Sequence, residues 1–386
     1  MILLKGSRKF SFDRLTELLE QKVHETILEV NLNSVVKNLN YYRSYMKPTT
    51  KLVCMVKADA YGAGSVEVAK TLQDHRVDYL AVAVADEGVT LRKNGITCNI
   101  MIMNPEMTAF KTMFDYKLEP EVYSFRLLDA LVKAAQKEGI TGYPVHIKLD
   151  TGMHRLGFDP RCDMDELISR LKHQNAIIPR SVFSHFVGSD SDDFDNFSAM
   201  QFKLFDEGSR KLQSHSAQDI APHGQLSRHR ALPGAADGHV PPGSRPVRHR
   251  QPRQFCIEYG QHAEDHHTAD TPCAEGRHSG YSRKGVLTRD SVIGAIPIGY
   301  ADGLNRRLGC GHCYCLVNGQ KAPYVGNICM DVAMIDLTGI DCKEGDTVEI
   351  FGEHLPVTVL SDVLGTIPYE VLTSISNRVK RVYFQD

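Results

Sequence analysis

The sequence predicts an α/β chain, a (β/α)8 TIM-like barrel followed by a mostly β C-terminal domain. Three observations lead there. Short apolar runs recur at 52–56, 79–83, 99–103, 119–122, 144–149 and 181–186, separated by helical stretches such as 65–74, 85–94 and 124–138. No Gly-x-Gly-x-x-Gly follows the first run, which favours a barrel over a dinucleotide-binding sheet. After residue 281 the alternation gives way to short strands and turns.

Length and charge narrow the classes. A chain of 386 residues suits one large and one medium domain. A net charge of −2 gives no basic excess for nucleic acid. No apolar run approaches the roughly 18 residues of a membrane span, and the charged start argues against a signal peptide. Ten cysteines without a disulfide-like framework point to a reducing, cytoplasmic setting.

Residues 1–24 read as a strand, a turn and a short helix outside the main pattern, an extension or the tail of an upstream domain. A strand over 26–30 and a helix over 34–45 follow, the helix capped by Asn31 or Asn33. The barrel is expected over 25–260. Its run 52–56 reads as a strand buried on both faces, and it delivers Lys57 into Ala58-Asp59-Ala60-Tyr61-Gly62-Ala63-Gly64. A lysine with its stem in apolar surroundings has a lowered pKa and a free amine, suited to a nucleophile or base; a surface lysine where a strand ends is the plainer alternative. The glycines let the backbone approach a group such as a phosphate. In the β domain, expected over 281–386, strands fall at 292–298, 313–317, 332–335, 347–351 and 381–384, with Asn318-Gly319 as a hairpin turn. Cys310, His312, Cys313 and Cys315 lack a second Cys-x-x-Cys pair, so buried cysteines are the better reading than a zinc site.

One stretch breaks the pattern. Residues 221–280 contain only six Leu, Ile, Val and Phe, too few to bury a core, while 211–280 hold nine of the 17 histidines. A disordered linker, a metal site around His262, Glu264, Asp265, His266 and His267, and a wrong reading frame compete as explanations. Reading plausible codons one nucleotide later turns 224–233 into Ala-Asn-Ser-Ala-Gly-Ile-Glu-Arg-Phe-Pro. It turns 259–271 into Met-Val-Asn-Thr-Leu-Lys-Thr-Thr-Ile-Leu-Gln-Ile-Arg, and 236–249 into a run containing Met-Cys-Arg-Leu-Gly-Val-Gly. These have the periodicities the printed residues lack, so a compensated frameshift over about 217–279 is the expectation.

Several motifs accompany Lys57: Lys148-Leu149-Asp150-Thr151-Gly152-Met153-His154-Arg155-Leu156-Gly157-Phe158, Ser184-His185-Phe186, Ile298-Gly299-Tyr300-Ala301-Asp302-Gly303, Ile328-Cys329-Met330-Asp331 and Ile367-Pro368-Tyr369-Glu370. Together, over 25–214 and 279–386, they closely resemble alanine racemase, a fold-type III enzyme dependent on pyridoxal 5'-phosphate. The opening Leu3-Leu4-Lys5-Gly6-Ser7-Arg8 resembles the end of a muramoyl-tripeptide:D-Ala-D-Ala ligase, so a ligase/racemase fusion is the nearest likeness.

The resemblance implies the following roles. Lys57 holds the cofactor covalently and acts as one catalytic base; Tyr300 is the base on the opposite face of the substrate Cα. Inversion requires a proton taken from one side and returned on the other. A phenol has a pKa near 10, so Tyr300 needs a positive neighbour, with His185 in that network. Tyr61, Arg155, His185 and Tyr369 bind the cofactor, Tyr369 at its phosphate. Arg155 and Met330 meet the substrate, and Asp331 supports the bases. Lys148 matches a lysine that some members carry as a carbamate to orient the arginine. Tyr300 and Met330 belong to the partner subunit's site, which implies a homodimer. The expected substrate is alanine, with D-alanine feeding peptidoglycan and no resident metal. Ala63, His154 and Asn327 depart from the family's usual His, Gly and Arg. The family's Asn-Ser-Ala phosphate contact, and an arginine facing the pyridine nitrogen, occur only in the shifted reading. A decarboxylase of the same fold and a non-catalytic pyridoxal-phosphate protein are the alternatives; the motifs at Tyr300 and Met330 argue against both.

Overall fold

The computed structural model describes residues 26–47, 49–188, 192–214, 221–223, 261–266, 269–273, 278–279 and 285–384. The expectations for residues 1–24, and most of those for 217–279, lie outside the described residues. The chain divides into two compact units, residues 39–58 with 69–251, and residues 1–38 with 59–68 and 252–386.

The first unit is the α/β barrel domain. In chain order its elements are β2 (Val53–Met55), α3 (Ser65–Asp74), β3 (Tyr79–Val82), α4 (Ala85–Lys93), β4 (Asn99–Ile102), α5 (Phe110–Asp115), β5 (Leu118–Val122), α6 (Phe125–Lys137), β6 (Tyr143–Lys148), α7 (Met164–Lys172), β7 (Ile177–Phe183), α8 (Asp195–Ser214) and β8 (Ala221–His223). Seven strands, β2 to β8, run parallel in chain order, each hydrogen-bonded to the next. Between strands lie helices with one apolar face; α6 buries Leu127, Leu128, Leu131 and Ala135, and Ser124 caps its start by accepting from the Leu127 amide at 3.3 Å. The strand before Lys57 differs from expectation. Val53, Cys54 and Met55 are half-buried rather than fully buried, because β2 pairs with β3 alone among the described residues.

The inside of this sheet is partly polar. A Tyr79, Glu119, His146, Ser181 and Arg180 network runs through it. Glu119 accepts from Tyr79 Oη at 3.1 Å and from Arg180 at 2.8 Å, and it meets His146 Nε2 at 2.9 Å. His146 Nδ1 lies 2.6 Å from Ser181 Oγ. Burial lowers the His146 pKa, so the ring is neutral there, and burial pushes the Tyr79 phenol up to about 12.

The second unit is mostly β. Its elements are β1 (Ile27–Asn31), β9 (Gln261–His266), β10 (Ala269–Cys273), β11 (His278–Ser279), β12 (Gly285–Val286), β13 (Ser291–Ile296), β14 (Tyr314–Val317), β15 (Gln320–Pro323), β16 (Ala333–Asp336), β17 (Thr347–Phe351), α9 (Val357–Leu364), α10 (Pro368–Thr373) and β18 (Lys380–Phe384). The helix α1 (Leu32–Arg43) follows β1, and Asn31 is its cap, accepting from the Ser34 amide at 3.2 Å. The main sheet has the order β15-β14-β17-β9-β1-β18. Strand β1 therefore joins this sheet, parallel to β18, so the barrel domain does not begin at residue 25. The hairpin at Asn318-Gly319 is as expected, with φ of 49° and 76° at its two residues. Cys313 and Cys315 are buried at β14, and no metal-holding group occurs among the described residues.

Replacing Glu119 by alanine should leave the buried His146 nitrogen without its partner. Urea unfolding should show a loss of about 1–3 kcal/mol, with α/β secondary structure retained at low urea.

Candidate active site

The site is built from the ends of the parallel strands. Lys57 follows β2, Arg155 lies in the loop after β6, and His185 lies just past β7. Lys148 is the last residue of β6, and Glu121 is the fourth residue of β5. In a parallel α/β barrel the C-terminal strand ends carry the chemistry.

Lys57 begins a single helical turn, α2 (Lys57–Tyr61), of unusual hand. Ala58, Asp59, Ala60 and Tyr61 all have φ between 51° and 57°. A left-handed conformation costs about 1–2 kcal/mol for each residue with a Cβ, so the turn must be held from outside. Glu87 at the start of α4 accepts from the Ala58 amide at 2.7 Å, and also from the Ala83 amide at 2.7 Å. Asp59 accepts from the Ser65 amide at 2.7 Å through its side chain and from the Gly64 amide at 2.9 Å through its carbonyl. Gly62 has φ +87°, and a Cβ there would sit 2.3 Å from the Leu372 carbonyl oxygen.

The electrostatics around Lys57 are cationic. His185 is half-buried, and its pKa is lowered first by burial and then by the positive charges of Arg155, Lys148 and Lys57. Its ring is therefore neutral near pH 7. Arg155 is exposed and makes no hydrogen bond or ion pair with any described residue. Lys148 is 5% exposed, and its Nζ lies 3.2 Å and 3.3 Å from the two oxygens of Glu121, which is 0% exposed. Burial pushes the Glu121 carboxyl up to about 7, against the opposing pull of Lys148 and then Arg155. The loop before Arg155 is fixed by Asp150, which accepts from the Gly152 and His154 amides at 2.9 Å and 3.0 Å.

The other expected site residues lie in the β unit. Tyr61 and Tyr369 come together there, ring centroids 5.1 Å apart. They are not core tyrosines: Tyr61 is half-buried and Tyr369 is 41% exposed. Tyr300 and Met330 are joined by backbone, since Tyr300 N donates to Cys329 O and Ala301 N to Met330 O, both at 3.0 Å. Their side chains face outward, 42% and 53% exposed. Asp331 is held by Arg378, which also bonds the buried Asp302, at 2.7 Å and 2.6 Å.

Three residues escaped the sequence reading: Glu87, Arg378 and Glu121. For Glu121 a signal existed. Glu119 and Glu121 lie two apart on β5, as His146 and Lys148 do on the adjacent β6, so one sheet face pairs acids with bases.

A parallel α/β barrel with a lysine after its first strand, joined in sequence to a separate β unit carrying an outward tyrosine, defines a fold-type III pyridoxal-phosphate enzyme. The chain matches the alanine racemase N-terminal domain family over residues 30–233 and the alanine racemase C-terminal domain family over 268–383. It is 34% identical over 380 residues to an alanine racemase of Clostridium kluyveri, covering 95% of each chain. It is 32% identical over 370 residues to an alanine racemase of Clostridium acetobutylicum, covering 93% of this chain and 95% of that one. Among solved structures, an alanine racemase of Clostridium difficile superposes with TM-score 0.84 and 32% identity, covering 95% of this chain and 97% of that one. One from Bartonella henselae with covalently bound pyridoxal phosphate gives TM-score 0.74 and 25% identity, covering 94% and 100%. The chain belongs to the alanine racemase family.

The residues present fit the family's cofactor. A half-buried lysine and an uncommitted arginine flank a neutral histidine at the strand ends, and that excess of positive charge suits an anionic phosphate and phenolate.

Because the folded His185 pKa lies below its unfolded value near 6.5, the unfolded chain takes up the proton first. Its contribution to stability is present above pH 6.5 and is lost as pH falls through the folded value. His185→Gln should therefore show a smaller drop in Tm between pH 7.5 and 5 than the parent chain, measured by thermal melts in matched buffers.

Proposed function

We propose that the chain interconverts L-alanine and D-alanine with pyridoxal 5'-phosphate, using Lys57 and Tyr300 as opposing bases and providing D-alanine for peptidoglycan. The observation that carries this reading is the placement of Lys57. It ends a barrel strand, on a strained turn, beside a neutral His185 and an uncommitted Arg155. The bound cofactor supplies an electron sink for the pair left at Cα when its proton is removed.

Each residue then has a defined task. Lys57 would anchor the cofactor and would move a proton on one face of the substrate Cα. Arg155 is free to bind the cofactor's phenolic oxygen and the substrate carboxylate. His185, being neutral, can accept or donate one hydrogen bond beside Arg155 and Lys57. Tyr61 and Tyr369, whose rings meet, would line the cofactor, Tyr369 at its phosphate, and Asp331 is held beside Met330 by Arg378.

Exposure of Tyr300 and Met330 supports a homodimer in which each chain lends these residues to the other's Lys57. Co-expressed Lys57→Ala and Tyr300→Phe chains, each inactive alone, should regain about a quarter of the parent activity, because half the dimers are mixed and each of those restores one of two sites. No recovery would place both bases in one chain. Singly, Tyr300→Phe should still exchange the Cα proton of one enantiomer with deuterated solvent and not that of the other, as read by proton NMR.

A cytoplasmic setting is supported by eight cysteines free of disulfides among the described residues, and by the lack there of any helix long and apolar enough to cross a membrane. The reading of residues 1–24 as the end of a ligase domain rests on the Leu3–Arg8 resemblance alone. An immunoblot of the source cells for a larger species tests it.

A frame error over 217–279 is part of the same reading. Strand β9 sits between β17 and β1 inside the main β sheet, yet five of its six printed residues, Gln-His-Ala-Glu-Asp-His, are polar. The shifted reading has Asn-Thr-Leu-Lys-Thr-Thr there, an alternation with β-branched residues. The family matches also leave residues 234–267 between them. Expressed as printed, the chain should be insoluble or nearly inactive, and the frame-restored chain should racemise alanine. An unshifted gene sequence, or full activity from the printed residues, would sink this part.

A further inference from the structure

The left-handed turn that opens at Lys57 is gripped at its far end by one side chain. Arg381, the second residue of β18, donates from Nε to the Gly62 carbonyl at 3.1 Å. Its other two nitrogens hold the segment between α10 and β18. Nη1 donates to the Ser376 and Val379 carbonyls at 2.6 Å and 2.8 Å, and Nη2 to the Ile375 carbonyl at 3.1 Å. Four carbonyls exceed the three donors of a lysine ammonium, so the clamp needs the guanidinium fork. The backbone beneath it is closely fitted. A Cβ at Gly62 would fall 2.3 Å from the Leu372 carbonyl oxygen of α10. A Cβ at Gly64 would fall 1.7 Å from the hydroxyl of Tyr383, which is two residues beyond Arg381 and on the same face of β18. Between those glycines and Lys57, Tyr61 sets its ring 5.1 Å from that of Tyr369 on α10.

We propose that Arg381 is a positioning residue for Lys57: by tying the Gly62 carbonyl to the segment before β18, it holds the left-handed turn in place and with it the direction of the lysine stem. This rests on the function proposed above and names what holds its lysine. Four successive residues with side chains do not stay left-handed unaided. Glu87 and Asp59 hold amides of the turn and of the residues after it, at Ala58, Gly64 and Ser65. Arg381 is the side chain that holds it by a carbonyl. Without that bond the φ angles can relax, and the first residue to swing with them is Lys57.

The test uses the full-length chain, in whichever reading of 217–279 gene sequencing returns, loaded with pyridoxal 5'-phosphate. A matched control exists in the barrel. Arg92 likewise donates to four carbonyls, those of Ile96, Cys98, Tyr116 and Lys117, at 2.6 to 3.1 Å, and these lie before β4 and β5, at the strand ends opposite to Lys57. In Arg381→Gln, amide hydrogen exchange over 57–65, read by mass spectrometry, should be faster than in the parent. The visible circular dichroism per bound cofactor should fall. The kcat should drop about 10- to 100-fold, the range for losing a group that orients a working side chain, with KM for alanine moving much less. Arg92→Gln should lower Tm while leaving exchange over 57–65, the cofactor signal and kcat as in the parent. Arg381→Lys, which keeps the charge and fewer donors, should show the Arg381→Gln changes in smaller measure, and it decides the matter if Arg381→Gln does not fold. Parent-like exchange over 57–65 in the Arg381 variants, or a kcat loss equalled by Arg92→Gln, would reduce Arg381 to a structural residue and refute the assignment. Exchange does not depend on turnover, so a parent chain that fails to racemise alanine would defeat the proposed function and still show whether Arg381 holds the turn.

Discussion

The site depends on a piece of backbone held where it would not rest by itself. Four consecutive residues with side chains, Ala58 to Tyr61, sit in the left-handed region directly after Lys57. At about 1–2 kcal/mol each, that is comparable to a large part of a domain's net stability. The turn persists because its free groups have fixed partners: Glu87 for the Ala58 amide, the Asp59 carbonyl and carboxylate for the Gly64 and Ser65 amides, and Arg381 for the Gly62 carbonyl at 3.1 Å. An over-determined strain of this kind fixes the direction in which the lysine leaves its strand, and direction is what the two tasks proposed for it require.

The second constraint is charge. A barrel interior of aliphatic layers would be indifferent to where a cation sits, but this one is not. The Glu119 layer satisfies every polar group it buries, and its histidine is kept neutral by burial. One layer nearer the strand ends, cations outnumber acids, and the neutral His185 lies among them. Moving from the bottom of the barrel to its mouth therefore changes a closed polar network into one with positive charge to spare. That gradient favours an anionic ligand at the mouth.

Much of this was legible in the sequence. The alternation of apolar runs and helices gave the parallel strands, because burial on both faces leaves a continuous hydrophobic signature. The motif around Lys57 singled out the stretch whose backbone is strained, since Tyr-Gly-x-Gly after the lysine departs from ordinary strand-end chemistry. What stayed hidden depends on pairing between distant segments. The partnership of Glu87 with Ala58, of Arg378 with Asp302 and Asp331, and of Glu121 with Lys148 is set by which strand or loop lies beside which. A local window carries no such information. Strand β1 was misassigned for the same reason: Ile27, Leu28 and Val30 announce a buried strand, and only the register with Lys380–Phe384 says which sheet it joins.

Strand β9 is likewise placed by pairing between distant segments. An interior strand of a mixed sheet is hydrogen-bonded on both edges, so its side chains lie between those of two neighbours on each face. Its neighbours here present Ile27, Leu28 and Val30 on one side and Val348, Ile350 and Phe351 on the other, all buried. The hexapeptide paired between them, Gln-His-Ala-Glu-Asp-His, contains one apolar residue in six. At β1, β14 and β17 backbone pairing and residue type agree, since each pairs on the sheet and buries its apolar residues. Consistency between levels is what lets a sequence specify a fold, and at β9 it is the backbone pairing to β1 and β17 that sets the strand's place in the sheet.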